Sequence, residues 1–163
     1  MKKLAYILAI SLLCFNPSSV FAKPLEVMHT SQGQADEKAE VEKAFADWRQ
    51  ALSSGKSENV VKLYDPSAIL LATLAEKPIT DQKERTDYFD KLTAKPKLMA
   101  TVNEDHIRLL DENSAVVSGL YTFSFEENGN KVSIPARYTF VYEKENGRWM
   151  IVEHHSSKVP QQN

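Results

Sequence analysis

Two Asn-Gly pairs, Asn128-Gly129 and Asn146-Gly147, constrain this chain more than any other feature. The runs they separate, Ala115 to Phe125, Val132 to Tyr142 and Trp149 to Ser157, are rich in β-branched and aromatic residues. A two-residue hairpin turn needs positive φ at both central positions, which Asn-Gly accepts at little cost. The C-terminal half therefore reads as a long antiparallel meander. Leu98 to Leu110 alternates loosely and adds a strand in front of it.

The residues before Pro96 follow a different period. From Asp36 onward Val41, Phe45, Trp48 and Leu52 recur at helical spacing, and Gly55 is placed to end the helix. Ser57 is expected to cap a short second helix with Val60, Val61, Leu63 and Tyr64 on its apolar side, stopped by Asp65-Pro66. Ala68 to Thr73 reads as a short strand. Thr80 is expected to cap a third helix, in which Arg85, Tyr88, Phe89 and Leu92 lie together and which Lys95-Pro96 closes. Helices gathered on one side of a meander define an α+β fold. An aromatic sheet face that bends strongly under the first helix forms a cone open at one end, and pockets form at such mouths.

The N-terminus predicts export. Lys2 and Lys3 precede an apolar run from Leu4 to Phe15, Asn16-Pro17 breaks it, and Val20-Phe21-Ala22 offers small residues at the −3 and −1 positions. We expect a signal peptide over 1–22, cleavage after Ala22, a flexible lead-in over 23–35, one domain over 36–160 and a tail over 161–163. The expected product is periplasmic or secreted and soluble, and it leaves the membrane on cleavage. Its one possible lipidation site, Cys14, follows Leu13 where a small residue is needed. The expected mature chain has no cysteine, which excludes a disulfide scaffold, a thiol enzyme and Cys-based zinc sites. Without Lys2 and Lys3 the chain carries 18 basic and 22 acidic residues, interspersed, so nucleic acid and anionic membranes are not expected partners.

Several stretches resemble a known family. Phe45-Ala46-Asp47-Trp48 through Leu52, Gly55 and Val60-Val61-Lys62-Leu63-Tyr64 are similar to the opening helices of nuclear-transport-factor-2-like (SnoaL-like, cystatin-like) domains. Ile79-Thr80 with Tyr88-Phe89 resembles their third helix. Ala136 to Tyr142, then Asn146-Gly147-Arg148-Trp149, then His154-His155-Ser156-Ser157, resembles the ending of the calcium/calmodulin-dependent protein kinase II association domain and its bacterial single-domain relatives. The resemblance implies a cone-shaped, strongly bent antiparallel sheet with three N-terminal helices covering one face. It also implies self-association, as a homodimer or a larger ring. The superfamily holds isomerases, dehydratases, cyclases and hydrolases beside pure oligomerisation modules, so fold alone leaves activity open. An arginine inside the pocket of the kinase hub falls at Phe140 here, and its anion site is not carried over.

Strand alternation supplies the candidate site residues. By period two, Trp149, Ile151, Glu153, His155 and Ser157 share one face of the last strand. Trp149 and Ile151 read as core, which directs Glu153 and His155 toward the mouth, where a carboxylate and an imidazole could pair as acid and base. Met150, Val152, His154 and Ser156 fall on the other face, a row apolar enough to be an interface. Arg137 is expected in the pocket if the Asn146-Gly147 turn is bulged, and on the outer face if the turn is tight. Tyr64, Tyr88 and Tyr121 are candidate pocket hydroxyls or core residues with their hydroxyls at an edge. No metal is expected, because His29 and His106 lie apart from the His154-His155 pair, whose rings diverge. No cofactor is expected, because no Gly-rich dinucleotide or flavin motif is present.

Two functions follow. The first is a non-enzymatic association module with a pocket for a small, partly apolar, anionic ligand. The second is a cofactor-independent isomerase, cyclase or dehydratase using Glu153 and His155, with Arg137 or a tyrosine steadying an enolate oxygen.

Overall fold

A computed structural model describes residues 31–160. The expected signal peptide, its cleavage site at Ala22, the first part of the lead-in and the tail lie outside the described residues. The elements are α1 (Ser31–Ser53), α2 (Ser57–Val61), β1 (Tyr64–Leu71), α3 (Gln82–Thr93), β2 (Met99–Leu109), β3 (Ser114–Glu127), β4 (Asn130–Glu145) and β5 (Arg148–Lys158). Helix α1 starts at Ser31, so residues 31–35, expected in the lead-in, are helical.

Local chemistry accounts for most boundaries. Gly55 adopts φ 72° just beyond α1, a left-handed conformation that glycine takes without a Cβ penalty. Two expected caps are replaced. Ser57 does not cap α2; its hydroxyl bonds the Asp90 carboxylate on α3, tying the two helices together. Asp81, not Thr80, caps α3, accepting from Lys83 N and Glu84 N at 2.8 and 3.0 Å. Both hairpin turns have positive φ at their two central residues, 52° and 76° at Asn128-Gly129 and 49° and 78° at Asn146-Gly147. This is the twist-compatible turn expected of Asn-Gly.

The five strands form one sheet in the order β1-β5-β4-β3-β2. Strands β2 to β5 are the antiparallel meander, while β1 lies parallel to β5 and makes it an interior strand. The sheet bends where its ladders slip. In β2, Asn103 is an extra residue between the pairs Val102–Tyr121 and Glu104–Leu120. Facing that bulge is Gly119, where a Cβ would stand 2.0 Å from the Glu104 carbonyl oxygen, so only glycine lets the backbones approach this closely. In β5, Val152 is the extra residue between Tyr142–Ile151 and Val141–Glu153. Bulges bend and twist the bulged strand, which is how a meander becomes a cone wall.

Helix α1 crosses the concave face and buries Val41, Phe45, Trp48 and Leu52 against Tyr121, Tyr138, Phe140 and Ile151. Near the β4–β5 hairpin, Glu40 of α1 accepts from Lys144 Nζ at 2.6 Å and Trp149 Nε1 at 3.0 Å, fixing helix to sheet. Helix α3 closes the β1 side through Arg85, which is fully buried. Its guanidinium donates to the carbonyls of Asp65 and Ala68 at 3.0 and 2.5 Å and lies 5.4 Å from the Tyr64 ring. These contacts satisfy a charge that would otherwise be costly to bury, and they hold the irregular start of β1.

Candidate functional site

The interior of the cone is packed with rings. His154 stacks on Phe140 with centroids 3.8 Å apart and meets Trp48 edge-on at 5.3 Å. Trp48 also meets Phe140 at 4.8 Å, and Phe45, Tyr138 and Tyr121 extend the cluster. Such pairs contribute about 0.5–1.5 kcal/mol each beyond burial of their area. A hydrogen-bonded chain threads the cluster. Trp48 Nε1 donates to Tyr64 Oη at 3.0 Å, and Tyr64 Oη lies 2.8 Å from His154 Nδ1. The indole can only donate, so Tyr64 gives its single proton to Nδ1 and the imidazole carries its own on Nε2, which is buried without a partner. A second chain joins Tyr121 Oη to Ser156 Oγ at 2.6 Å and Ser156 to Thr73.

This geometry corrects the expected face assignment. Trp149 and Ile151 are buried under α1, as alternation requires. The Val152 bulge then reverses the strand, so that His154 and Ser156 point inward while Glu153 and His155 are exposed on the outer face. A one-residue slip moves every later side chain to the opposite face. The expected acid–base pair therefore lies outside the cone, and no hydrogen bond joins its members. His155 borders a surface cleft of about 400 Å³ beside the 71–78 segment, and Glu153 does not. The expected interface row fails for the same reason. His154 and Ser156 are core, Met150 is buried, and only Val152 is half-exposed.

Of the two places left open for Arg137, the pocket and the outer face, the structure shows the outer face. The Asn146-Gly147 turn is tight, pairing Glu145 with Arg148, and the bulge farther along sets Arg137 opposite Ser157 on the outer face. There it is exposed. Of the three tyrosines, Tyr64 and Tyr121 are buried within the core network, and burial raises both hydroxyls well above the ordinary phenol range. Tyr88 is half-buried at the mouth, its hydroxyl pushed up by burial to about 12. Beside it Leu74, Leu92, Phe123 and Ile134 leave a cavity of about 10 Å³, too small for a substrate, while Tyr88 also borders a surface cleft of about 720 Å³ with Leu74, Ile79 and Lys91. Among the described residues, no three His, Cys, Asp or Glu side chains lie close enough to hold a metal ion.

Sequence reasoning missed three features: the Trp48–Tyr64–His154 chain, the Arg85 strut and the true outer face. That outer face reads in rows across the sheet. One row runs Arg108, Val116, Val141, Glu153, Ile69; the next runs His106, Ser118, Thr139, His155, Leu71; the third runs Glu104, Leu120, Arg137, Ser157. Its centre, Val116, Ser118, Leu120, Thr139 and Val141, is half-buried, and charged side chains flank it.

His154 makes folding pH-dependent. Burial, and secondarily the neighbouring His155, holds its imidazole down to about 3 in the folded state. In the unfolded chain an ordinary histidine titrates near about 6.5. The unfolded state thus binds the additional proton, and stability present above pH 6.5 is lost as pH falls toward 3. Between pH 7 and pH 5 the contribution is about 2 kcal/mol by linkage. Urea unfolding of the wild type and His154→Gln at both pH values measures it, and the variant is expected to lose that much less on acidification.

The comparisons with known proteins agree with this architecture. The family model for the calcium/calmodulin dependent protein kinase II association domain matches residues 37–160. A Xanthomonas campestris protein described as such an association domain is 40% identical, with a TM-score of 0.72 over 76% of this chain and 88% of its own. The hub homology domain of Chlamydomonas reinhardtii is 28% identical, with a TM-score of 0.65 over 75% of this chain and 98% of its own. The association domain of the C. elegans kinase, at 22% identity and a TM-score of 0.66 over 77% of this chain and 98% of its own, bears on the fold alone. So does a protein of the NTF2-like family from Streptomyces avermitilis, at 16% identity and a TM-score of 0.69 over 78% of this chain and 99% of its own. No curated protein matches the chain. A bent, unclosed five-stranded sheet under an aromatic helix and a family match spanning most of the sequence lead to one conclusion: this chain belongs to the calcium/calmodulin-dependent protein kinase II association domain family.

Proposed function

We propose that this chain is an exported self-association module that pairs with further copies of itself through the outer face of its sheet. The observation that carries the reading is that face. All three helices pack on the concave side or around β1, and among the described residues none covers the rows centred on Val116, Leu120 and Val141. Apolar and small side chains at the centre with charges at the margin match the anatomy of protein interfaces. The charges also suit a two-fold arrangement. Arg108 stands at one end of the first row, and Glu153 lies toward the other. An axis parallel to the strands would set each Arg108 against Glu153 of the partner subunit. Membership of an association-domain family and similarity to a hub homology domain support the same reading.

The enzyme reading finds less support. Its two proposed groups lie on an exposed face, and the rings of Phe140 and Trp48 pack directly against His154. Export rests on the sequence pattern over 1–22, and N-terminal sequencing of the chain recovered outside the cytoplasm is expected to begin at Lys23. A chain that retains Met1 and its apolar run would contradict it.

Multi-angle light scattering at tens of micromolar tests self-association. The wild type is expected to have a mass of at least two chains. Leu120→Glu, which places a charge at the centre of the face without touching the core, is expected to give one chain with unchanged circular dichroism. A monomeric wild type would overturn the reading.

A further inference from the structure

The mouth of the cone is packed less completely than its interior. Phe123 and Ile134 on the sheet and Tyr88 on α3 are half-buried there, and Leu74 is 53% exposed. Two spaces meet at this point, the inner cavity of about 10 Å³ and the cleft of about 720 Å³ between α3 and residues 74–79. Leu74, Tyr88 and Leu92 border both, so these three side chains form the wall between them.

Two parts of that wall are fixed. Tyr88 and Leu92 belong to α3, which Arg85 and the Ser57–Asp90 bond tie to the rest of the fold. Leu74 sits on a loop, residues 71–78, whose neck is closed where Leu70 and Ile79 exchange two backbone hydrogen bonds of 2.9 Å. Among the described residues, the one hydrogen bond from residues 73–78 to the chain outside the loop joins the Thr73 hydroxyl to Ser156. A segment with so few attachments opens at low cost, and the closed neck lets it turn without disturbing the sheet.

The lining of the inner cavity selects a ligand. Among the described residues, none that borders it is charged, and Phe123, Phe125, Leu92 and Ile134 make its walls apolar. Burial alone pushes the Tyr88 hydroxyl up to about 12, with no hydrogen-bond partner acting on it among the described residues. It is protonated at neutral pH and is a donor without an acceptor. A neutral ring bearing one acceptor oxygen matches these walls. An ion would shed its hydration there with nothing to pair it.

We propose that the 71–78 loop is a lid, and that turning Leu74 outward joins cavity and cleft into one site for a small, uncharged aromatic carbonyl compound. The ring lies against Phe123 and Ile134, and the carbonyl oxygen accepts from the Tyr88 hydroxyl. The site is distinct from the outer sheet face, so its occupancy leaves self-association unhindered.

Methyl and amide NMR of the isotope-labelled chain tests this with three probes: acetophenone, ethylbenzene as the counterpart lacking oxygen, and benzoate as the charged one. Acetophenone at millimolar concentration is expected to shift the Leu74, Leu92 and Ile134 methyl groups while the Leu70 and Ile79 amides keep their positions. Benzoate is expected to leave these signals in place. Leu74→Ala, at a half-exposed loop position, is expected to bind acetophenone about fivefold more tightly, because less apolar contact is broken on opening. Tyr88→Phe is expected to weaken acetophenone by about fivefold, the worth of one hydrogen bond, and to leave ethylbenzene unchanged. Leu74 signals that stay fixed, shifts confined to another surface, benzoate binding as well as acetophenone, an unaltered affinity in Leu74→Ala, or equal loss of both neutral probes in Tyr88→Phe would each overturn the proposal.

Discussion

One inserted residue, Val152, decides what the inside and the outside of this protein are. Without it, β5 would continue the alternation begun by Trp149 and Ile151, directing Glu153 and His155 under α1 and His154 to the surface. With it, His154 enters the core, stacks on Phe140 and accepts the Tyr64 proton. Burying two carboxylate- or imidazole-bearing side chains in a ring-lined interior would cost several kcal/mol unless each found partners. Burying one neutral imidazole, bonded through Nδ1 with only its Nε2 proton unpartnered, and a hydrogen-bonded serine costs less. The bulge thus selects the cheaper set of polar groups for the interior.

The consequences reach both ends of the molecule. Because β1 lies beside β5 in parallel, the Tyr64 hydroxyl falls within reach of both Trp48 and His154 and couples α1, β1 and β5 through one oxygen. Arg85 holds the irregular start of β1 from the other side by capping its carbonyls. Rings tied together this way fill the core beside His154. Among the described residues, the outer sheet face is one place where apolar area and charge remain together.

Much of the fold was legible in the sequence, and for physical reasons. Asn128-Gly129 and Asn146-Gly147 fix hairpins because few other pairs accept positive φ twice, and both turns occur. Phe45, Trp48 and Leu52 mark the buried face of α1 because helical periodicity survives any tertiary context. The site was less legible. A bulge leaves the strand's composition unchanged, so Val152 looks like any β-branched residue, yet it inverts the assignments of Glu153, His154, His155 and Ser156 together. The role of Arg85 as a strut was not legible, because the carbonyls it binds belong to the Asp65-Pro66-Ala68 segment, whose proximity only the fold creates. The parallel placement of β1 was likewise invisible, since no local signal says which edge an early strand will join.

The inward position of His154 is the claim on which the rest turns, and its ring can be observed directly. The ¹³C–¹H signal of the His154 imidazole, assigned by its loss in His154→Gln, can be followed from pH 8 to pH 5. A ring stacked on Phe140, with Nδ1 accepting from Tyr64, stays neutral and its shift stays flat across that range. Titration of that signal with a midpoint near the ordinary histidine value of about 6.5 would place the ring in water and contradict the account.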